Sequence, residues 1–199
     1  MKIWKLLGLV LLAIVVAGAF YGVRLIRRGF SAREQPSRLE RIVARGARNM
    51  AIPSEWRDEE NPWKGLDTAE NMKEAREHFA DHCALCHAND GSGNTEIGQN
   101  LYPKPPDLRL PATQNLTDGE LYYIIENGVR LTGMPAWGDP HFIAQDDDSW
   151  KLVLFIRHLP RLTPDEEKDM ESYNPQGKME KEEEQEETPN APASDRRLH

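Results

Sequence analysis

Cysteine is scarce in this chain: 199 residues carry two, Cys83 and Cys86. That excludes the disulfide frameworks that staple small secreted domains. It also excludes a zinc site built from two cysteine pairs, which needs about four ligands. Basic charge is in short supply as well, with 25 Lys and Arg against 33 Asp and Glu and a net charge of −8. A nucleic-acid partner is therefore disfavoured, because phosphate backbones demand a basic surface. The charge is segregated along the chain. Residues 1–49 carry a net +8, residues 50–164 a net −9 and residues 165–199 a net −7. Long apolar runs are confined to Leu6–Val23 at the N-terminus.

The two cysteines stand close together in Cys83-Ala84-Leu85-Cys86-His87. A thioredoxin-like pair would need a βαβ setting, and the flanking residues lack that pattern. A Cys-x-x-Cys-His run reads instead as a haem attachment site. On a helical turn two thiols reach the two porphyrin vinyl groups, and the adjacent imidazole lies under the iron. Well downstream, Gly133-Met134-Pro135-Ala136-Trp137-Gly138 sets a thioether on a loop bounded by glycines and stiffened by proline. A lone methionine is commonly a core gap-filler. Gly-Met-Pro, however, breaks regular structure where a core methionine would sit on an element.

These paired motifs resemble those of the class I, mono-haem c-type cytochromes in their membrane-anchored bacterial form. The resemblance spans Thr68 to Leu162. It implies an all-α domain around one covalently bound haem c. Cys83 and Cys86 would be the thioether sites, His87 the proximal iron ligand and Met134 the distal one. It also implies that Phe79, one turn before Cys83, packs against an aromatic of the C-terminal helix, Trp150 or Phe155. Ala75 departs from the glycine that many members carry at the helix crossing. In the family, residues corresponding to 94–116 wrap one porphyrin edge, which would make Leu101 and Tyr102 haem-packing residues. A backbone carbonyl near Pro103–Pro106 would orient the His87 ring.

The N-terminal run is long enough as a helix to cross most of the roughly 30 Å hydrocarbon core of a bilayer. Lys2 and Lys5 precede it, and Arg24, Arg27 and Arg28 follow. Ala17-Gly18-Ala19 looks like a signal-peptidase site, so residues 1–28 are an anchor or a signal segment; the run exceeds the usual signal core, which favours a retained anchor. Positive charge flanks both ends and leaves orientation open. In c-type cytochromes haem is attached outside the cytoplasm, so the resemblance implies a single-pass protein of the bacterial inner membrane with its haem domain facing the periplasm.

Residues 29–66 read as a basic amphipathic connector. Leu39, Ile42, Val43, Ala47 and Met50 recur at helical spacing with Arg38, Arg41, Arg45 and Arg48 between them. Such a helix suits a membrane surface, a partner subunit or a solvated spacer equally. The haem domain is expected over 67–162. One helix opens at Asp67-Thr68-Ala69-Glu70 with Asp67 as cap. A second opens at the capping box Thr117-Asp118-Gly119-Glu120 and ends at Gly128. A third opens at Asp146-Asp147-Asp148-Ser149 and stops before Pro160. Asn89–Gly93 is a turn cluster, and the prolines of 94–116 exclude a long helix there. Residues 163–199 read as an acidic tail, disordered from Asp165 on, or with a Glu-rich helix that forms on binding.

His78 and His82 are expected at the surface or haem edge, and His158 is suited to the dipole at a helix C-terminus. His141 is a rival to Met134. A His/Met-ligated iron has no open position, so the resemblance implies one-electron transfer by a carrier or an electron-transfer subunit, with no catalytic residues. The partners would be a donor and acceptor with basic or neutral docking faces, or a respiratory or dehydrogenase complex. A haem peroxidase, or a sensor with a labile distal Met134, is the alternative.

Overall fold

The computed structural model describes residues 2–28, 31–138 and 146–175. Among them every regular element is helical. The first, α1 (Lys2–Arg28), is 27 residues long, about 40 Å at the helical rise. Its described apolar side chains are exposed, and it is long and apolar enough to cross a membrane. The second, α2 (Arg38–Ala51), starts at a capping box. Ser37 Oγ accepts from the Glu40 N–H at 3.2 Å, and Glu40 Oε2 accepts from the Ser37 N–H at 2.7 Å. Both groups would otherwise be orphan donors at the helix start.

After α2 the chain enters the packed unit sooner than residue 67. Ile52 is buried, and Trp56 of the short α3 (Ser54–Arg57) stacks on Tyr122 with centroids 5.1 Å apart. Buried Asn61 donates to the Trp150 carbonyl at 2.9 Å, and Trp63 Nε1 donates to Asp147 at 3.1 Å. The sequence-level connector thus contributes core side chains from 52 to 63. Its polar, proline-broken composition concealed them, because no periodic apolar pattern marks three isolated aromatic and aliphatic contacts.

The haem-motif region begins with α4 (Ala69–His78). Its cap is Thr68 rather than Asp67: the Thr68 hydroxyl accepts from the Asn71 N–H at 3.2 Å. A five-residue π-turn, Phe79–Cys83, follows directly and leads into α5 (Ala84–His87). Between Asn94 and Leu116 only single turns form, α6 (Glu96–Gln99) and α7 (Pro111–Gln114). That is the outcome the prolines dictate. Then comes α8 (Asp118–Asn127), with the expected capping box at Thr117 and Glu120 and Gly128 at its end. The last long helix, α9 (Asp147–His158), is capped by Asp146 and closes in a 3-10 turn over Leu159–Arg161.

The core is the crossing of α4 and α9, with α8 laid alongside. Phe79 meets Phe155 at 5.0 Å, and Ala75 is buried at the crossing. Trp150, the other candidate partner, instead stacks on Tyr122 at 4.1 Å and extends a three-ring ladder with Trp56. Aromatic pairs of this kind contribute about 0.5–1.5 kcal/mol each beyond the area they bury. α8 lies so close to α3 that a Cβ on Gly119 would overlap the Trp56 carbonyl. Arg157 ties the layers together. It donates to Asp118, to the Gln114 carbonyl at 2.7 Å and to the Leu116 carbonyl.

The acidic tail is ordered as far as it is described. Thr163 and Glu166 form a capping box that opens α10 (Pro164–Met170), and Met170 is fully buried in the core. Arg76 of α4 pairs with Asp169 at 2.8 Å, and His158 pairs with Glu166 at 3.1 Å. This corrects the expectation of disorder from Asp165 on. A low apolar content hides the one methionine that inserts, and the ion pairs that hold the helix are long-range. The Glu-rich segment expected to fold on binding lies outside the described residues.

Candidate haem site

The π-turn ends at Cys83, and its geometry follows from one shifted hydrogen bond: the Ala84 N–H donates to the Phe79 carbonyl, five residues back. The inserted residue shifts the register between Phe79 and Cys83: the ring is fully buried in the core, and the thiol packs against the same cluster from a partly buried position. Such insertions occur frequently at functional sites. α5 then carries Cys86 and His87 one turn on. The Ala88 backbone reverses at φ +61°, a region that non-glycine residues rarely occupy. The reversal returns the chain over α5. Thr95 Oγ1 donates to the Leu85 carbonyl at 2.8 Å, and the Gly93 N–H donates to the His87 carbonyl at 2.7 Å. The end of the motif is therefore clamped by its own downstream turn.

Burial sets the chemistry of the three motif side chains. It pushes the Cys83 thiol up to about 12, with Cys86 adding to the shift, and it raises Cys86 as well. Activated thiols are held low by nearby cations or a helix N-terminus, so neither sulfur has the setting of a redox or nucleophilic thiolate. The two are not joined as a disulfide. Burial also lowers His87 to about 4, against a smaller opposing effect of the Pro106 carbonyl. Burial thus favours the neutral ring, the form in which imidazole binds a metal. Its Nδ1 is buried without a well-formed hydrogen bond. The Pro106 carbonyl, which acts on this ring, belongs to the segment from which a ring-orienting carbonyl was expected.

The methionine loop is fastened to α8. Met134 donates its N–H to Thr132 Oγ1 at 3.1 Å and accepts at its carbonyl from Val129 at 3.2 Å. Trp137 and Gly138 donate to the carbonyls of Ile125 and Glu126. Gly128 makes the fold-back possible: its φ is +63°, and a Cβ there would come within 2.6 Å of Ala136 N. One contact brings this loop to the attachment segment and another to the proline-rich segment after it. Trp137 meets His82, the residue before Cys83, edge to face at 5.3 Å. The Leu101 side chain packs against Gly133. Met134 itself is half-buried.

His78 and His82 lie 4.7 Å apart and line a cleft with Glu74, Glu77, Asp81, Asp148 and Tyr173. His87 is not among the residues that line this cleft. His158, besides ending α9, pairs with Glu166. His141 lies outside the described residues. Trp137 and Thr95 were not singled out from sequence. Trp137 had a signal, since it sits three residues after Met134 in the same loop; Thr95 had none beyond a helix cap.

The donor set fits a covalently held haem. Two half-buried, unpaired thiols, an adjacent imidazole with an unpartnered ring nitrogen and a thioether on a braced loop are the donors such a group needs. Among the described residues no cluster of three or more His, Cys, Asp or Glu is arranged to hold a metal ion. Comparison with known families decides the matter. The family model described as cytochrome c oxidase, cbb3-type, subunit III matches residues 70–156. The chain contains a mono-haem c-type cytochrome domain. Electron transfer is the general chemistry of such a cytochrome, and its haem c is covalently bound. The match begins inside α4 and ends inside α9, so it covers the whole attachment turn and the methionine loop. No curated protein matches the chain.

Proposed function

We propose that the cytochrome is held in the bacterial inner membrane by α1 and carries single electrons, on its periplasmic side, between a redox donor and an acceptor. It does so either as a tethered carrier or as a subunit of a respiratory oxidase complex. In this reading Cys83 and Cys86 are the thioether sites, His87 is the proximal ligand and Met134 the distal ligand. The functional unit runs from about residue 52 to 173, with residues 1–28 as anchor.

The observation that carries the assignment is the turn Cys83–His87: His87, with its Nδ1 buried and the Pro106 carbonyl acting on its ring, directly follows two thiols whose ionisation burial disfavours. Haem c, when bound, supplies an iron centre that accepts and releases one electron. The chain's residues do the rest. Thioether bonds at Cys83 and Cys86 keep the group from dissociating. The Pro106 carbonyl, which acts on the His87 ring, would orient it as the outer partner of an iron-binding imidazole. Met134 offers a soft, uncharged sulfur that favours the reduced state and raises the potential. With both faces filled, small molecules are kept from the iron, so electron passage is favoured over oxygen or peroxide chemistry.

Three variants test this. In Cys83→Ser/Cys86→Ser, the haem stain that survives denaturing electrophoresis should vanish. Met134→Ala should lower the reduction potential and let carbon monoxide bind, whereas wild type should not bind it. His87→Ala should lose the low-spin spectrum altogether. A Met134→Ala protein with unchanged potential and no carbon monoxide adduct would rule out the distal assignment.

A further inference from the structure

α2 is a complete helix that buries none of its residues. Leu39, Ile42, Val43 and Met50 are 70%, 69%, 60% and 79% exposed. At helical spacing these residues, with Gly46 and Ala47, occupy one arc of about 140°, and the four arginines occupy an arc of about 80°. Four large apolar side chains on one stripe of a 14-residue helix need a cover.

The orientation of the helix shows where that cover lies. Its polar side is already engaged by the cytochrome domain. Glu40 Oε1 accepts from the Tyr102 hydroxyl at 3.2 Å, the Asn49 carbonyl accepts from Arg57 at 2.6 Å, and half-buried Arg48 is attracted by Glu120 of α8. The helix is therefore mounted on the domain by the faces that carry Glu40 and Arg48. The apolar arc, on the remaining side, turns away from the domain.

The position of α2 in the chain identifies the occupant. Nine residues separate Arg28, the end of α1, from Arg38, the start of α2. Fully extended, they span about 30 Å, so α2 cannot leave the neighbourhood of the membrane that holds α1. Arg38 and Arg45 border one edge of the apolar arc, with Arg41 beside them, and Glu40 borders the other. Glu40, the only acidic residue in α2, is occupied in its cap. Basic residues bordering an exposed apolar stripe match an interface where acyl chains lie beneath anionic headgroups.

We propose that α2 lies in the headgroup layer of the membrane spanned by α1, with Leu39, Ile42, Val43 and Met50 inserted among the acyl chains and Arg38, Arg41 and Arg45 held by anionic phospholipid. This rests on α1 being a retained anchor. Because Glu40 bonds Tyr102, the same contact fixes the cytochrome domain at a set height and tilt, with the Tyr102 edge toward the bilayer. The helix is a mount, and it replaces free tethered diffusion with a defined approach.

The test uses the full haem-loaded chain in nanodiscs. Thioether formation leaves no free thiol, so one introduced cysteine at a time carries a nitroxide: Ile42→Cys, Val43→Cys and Met50→Cys on the apolar arc, Arg41→Cys and Ala44→Cys outside it. In discs containing phosphatidylglycerol, the first three labels should be accessible to oxygen and shielded from a water-soluble nickel chelate. The other two should show the reverse. In phosphatidylcholine discs, or in Arg38→Gln/Arg41→Gln/Arg45→Gln, the shielding should fall several-fold. Water-like accessibility at all five positions would overturn the proposal. So would shielding that is equal in both lipids, or shielding that appears only after other membrane proteins are added. A Val15→Cys label monitors α1 separately. If it too reads as water-exposed, the anchor has failed, and a hydrocarbon reading there beside an exposed α2 refutes the mount alone.

Discussion

Gly128 adopts φ +63° where α8 ends, and the methionine loop folds directly onto the space a side chain would need. An alanine there meets both a strained backbone and a collision with Pro135 and Ala136. Gly128→Ala should therefore cost about 1–3 kcal/mol in denaturant unfolding of the haem-loaded protein. Because the displaced segment carries Met134, the variant should also bind carbon monoxide partially. Leu131 has a similar backbone, φ +63°, with its side chain almost fully in solvent. At the residue level the candidates were legible in part: Cys83, Cys86, His87 and Met134 stand out by residue type and spacing as the residues proposed to hold the haem. What spacing could not give was the state of those side chains. Burial is the largest cause of the thiol and imidazole shifts, and burial is a property of the folded neighbours.

At the scale of elements, α10 is the least expected piece. Its capping carboxylate, Glu166, is subject to opposing effects. Burial alone would raise it, but the Thr163 backbone N–H, His158 and the Thr163 hydroxyl together hold it down to about 2. A carboxylate depressed in the folded state stabilises above its unfolded value, near 4.5, and that contribution is lost as pH falls from there toward 2. Glu166→Gln should thus be less stable than wild type at neutral pH, and the gap should close across that acid range in parallel unfolding titrations. Met170→Ala should lose about 2–5 kcal/mol by leaving a cavity under α4 and α9. A freely solvated tail would lose nothing. Helix starts with a capping box or acidic first turn were readable at α8 and α9 because the signal is local. The Thr68 cap was missed by one position, since Asp67 and Thr68 are both good caps and only the Asn71 N–H distinguishes them.

For the whole molecule, charge is the main determinant of behaviour. A basic N-terminal portion, including α2, precedes a cytochrome domain whose surface is acidic. If the redox partner presents a basic face, association will be steered by attraction over distances comparable to the Debye length, about 10 Å at 0.1 M salt. Stopped-flow electron transfer with a basic small redox protein should then slow markedly between about 0.02 and 0.2 M salt. A rate indifferent to salt would argue for a neutral docking face. Within the domain, surface ion pairs such as Arg109 with Asp90 and Asp107 contribute little to stability. Stability rests on the aromatic ladder and the α4–α9 crossing.

By itself the sequence determined the helical class, the attachment motif, the loop methionine and an apolar segment able to span a bilayer. Each of these is written in residue type at short spacing, where local chemistry leaves few alternatives. Only the tertiary structure decided that residues 52–63 and 164–173 belong to the packed unit, that Phe155 rather than Trp150 meets Phe79, and that α2 turns its apolar stripe outward. Those outcomes depend on contacts between residues dozens of positions apart. The free energy of such contacts comes from buried area and satisfied polar groups, which no linear pattern records.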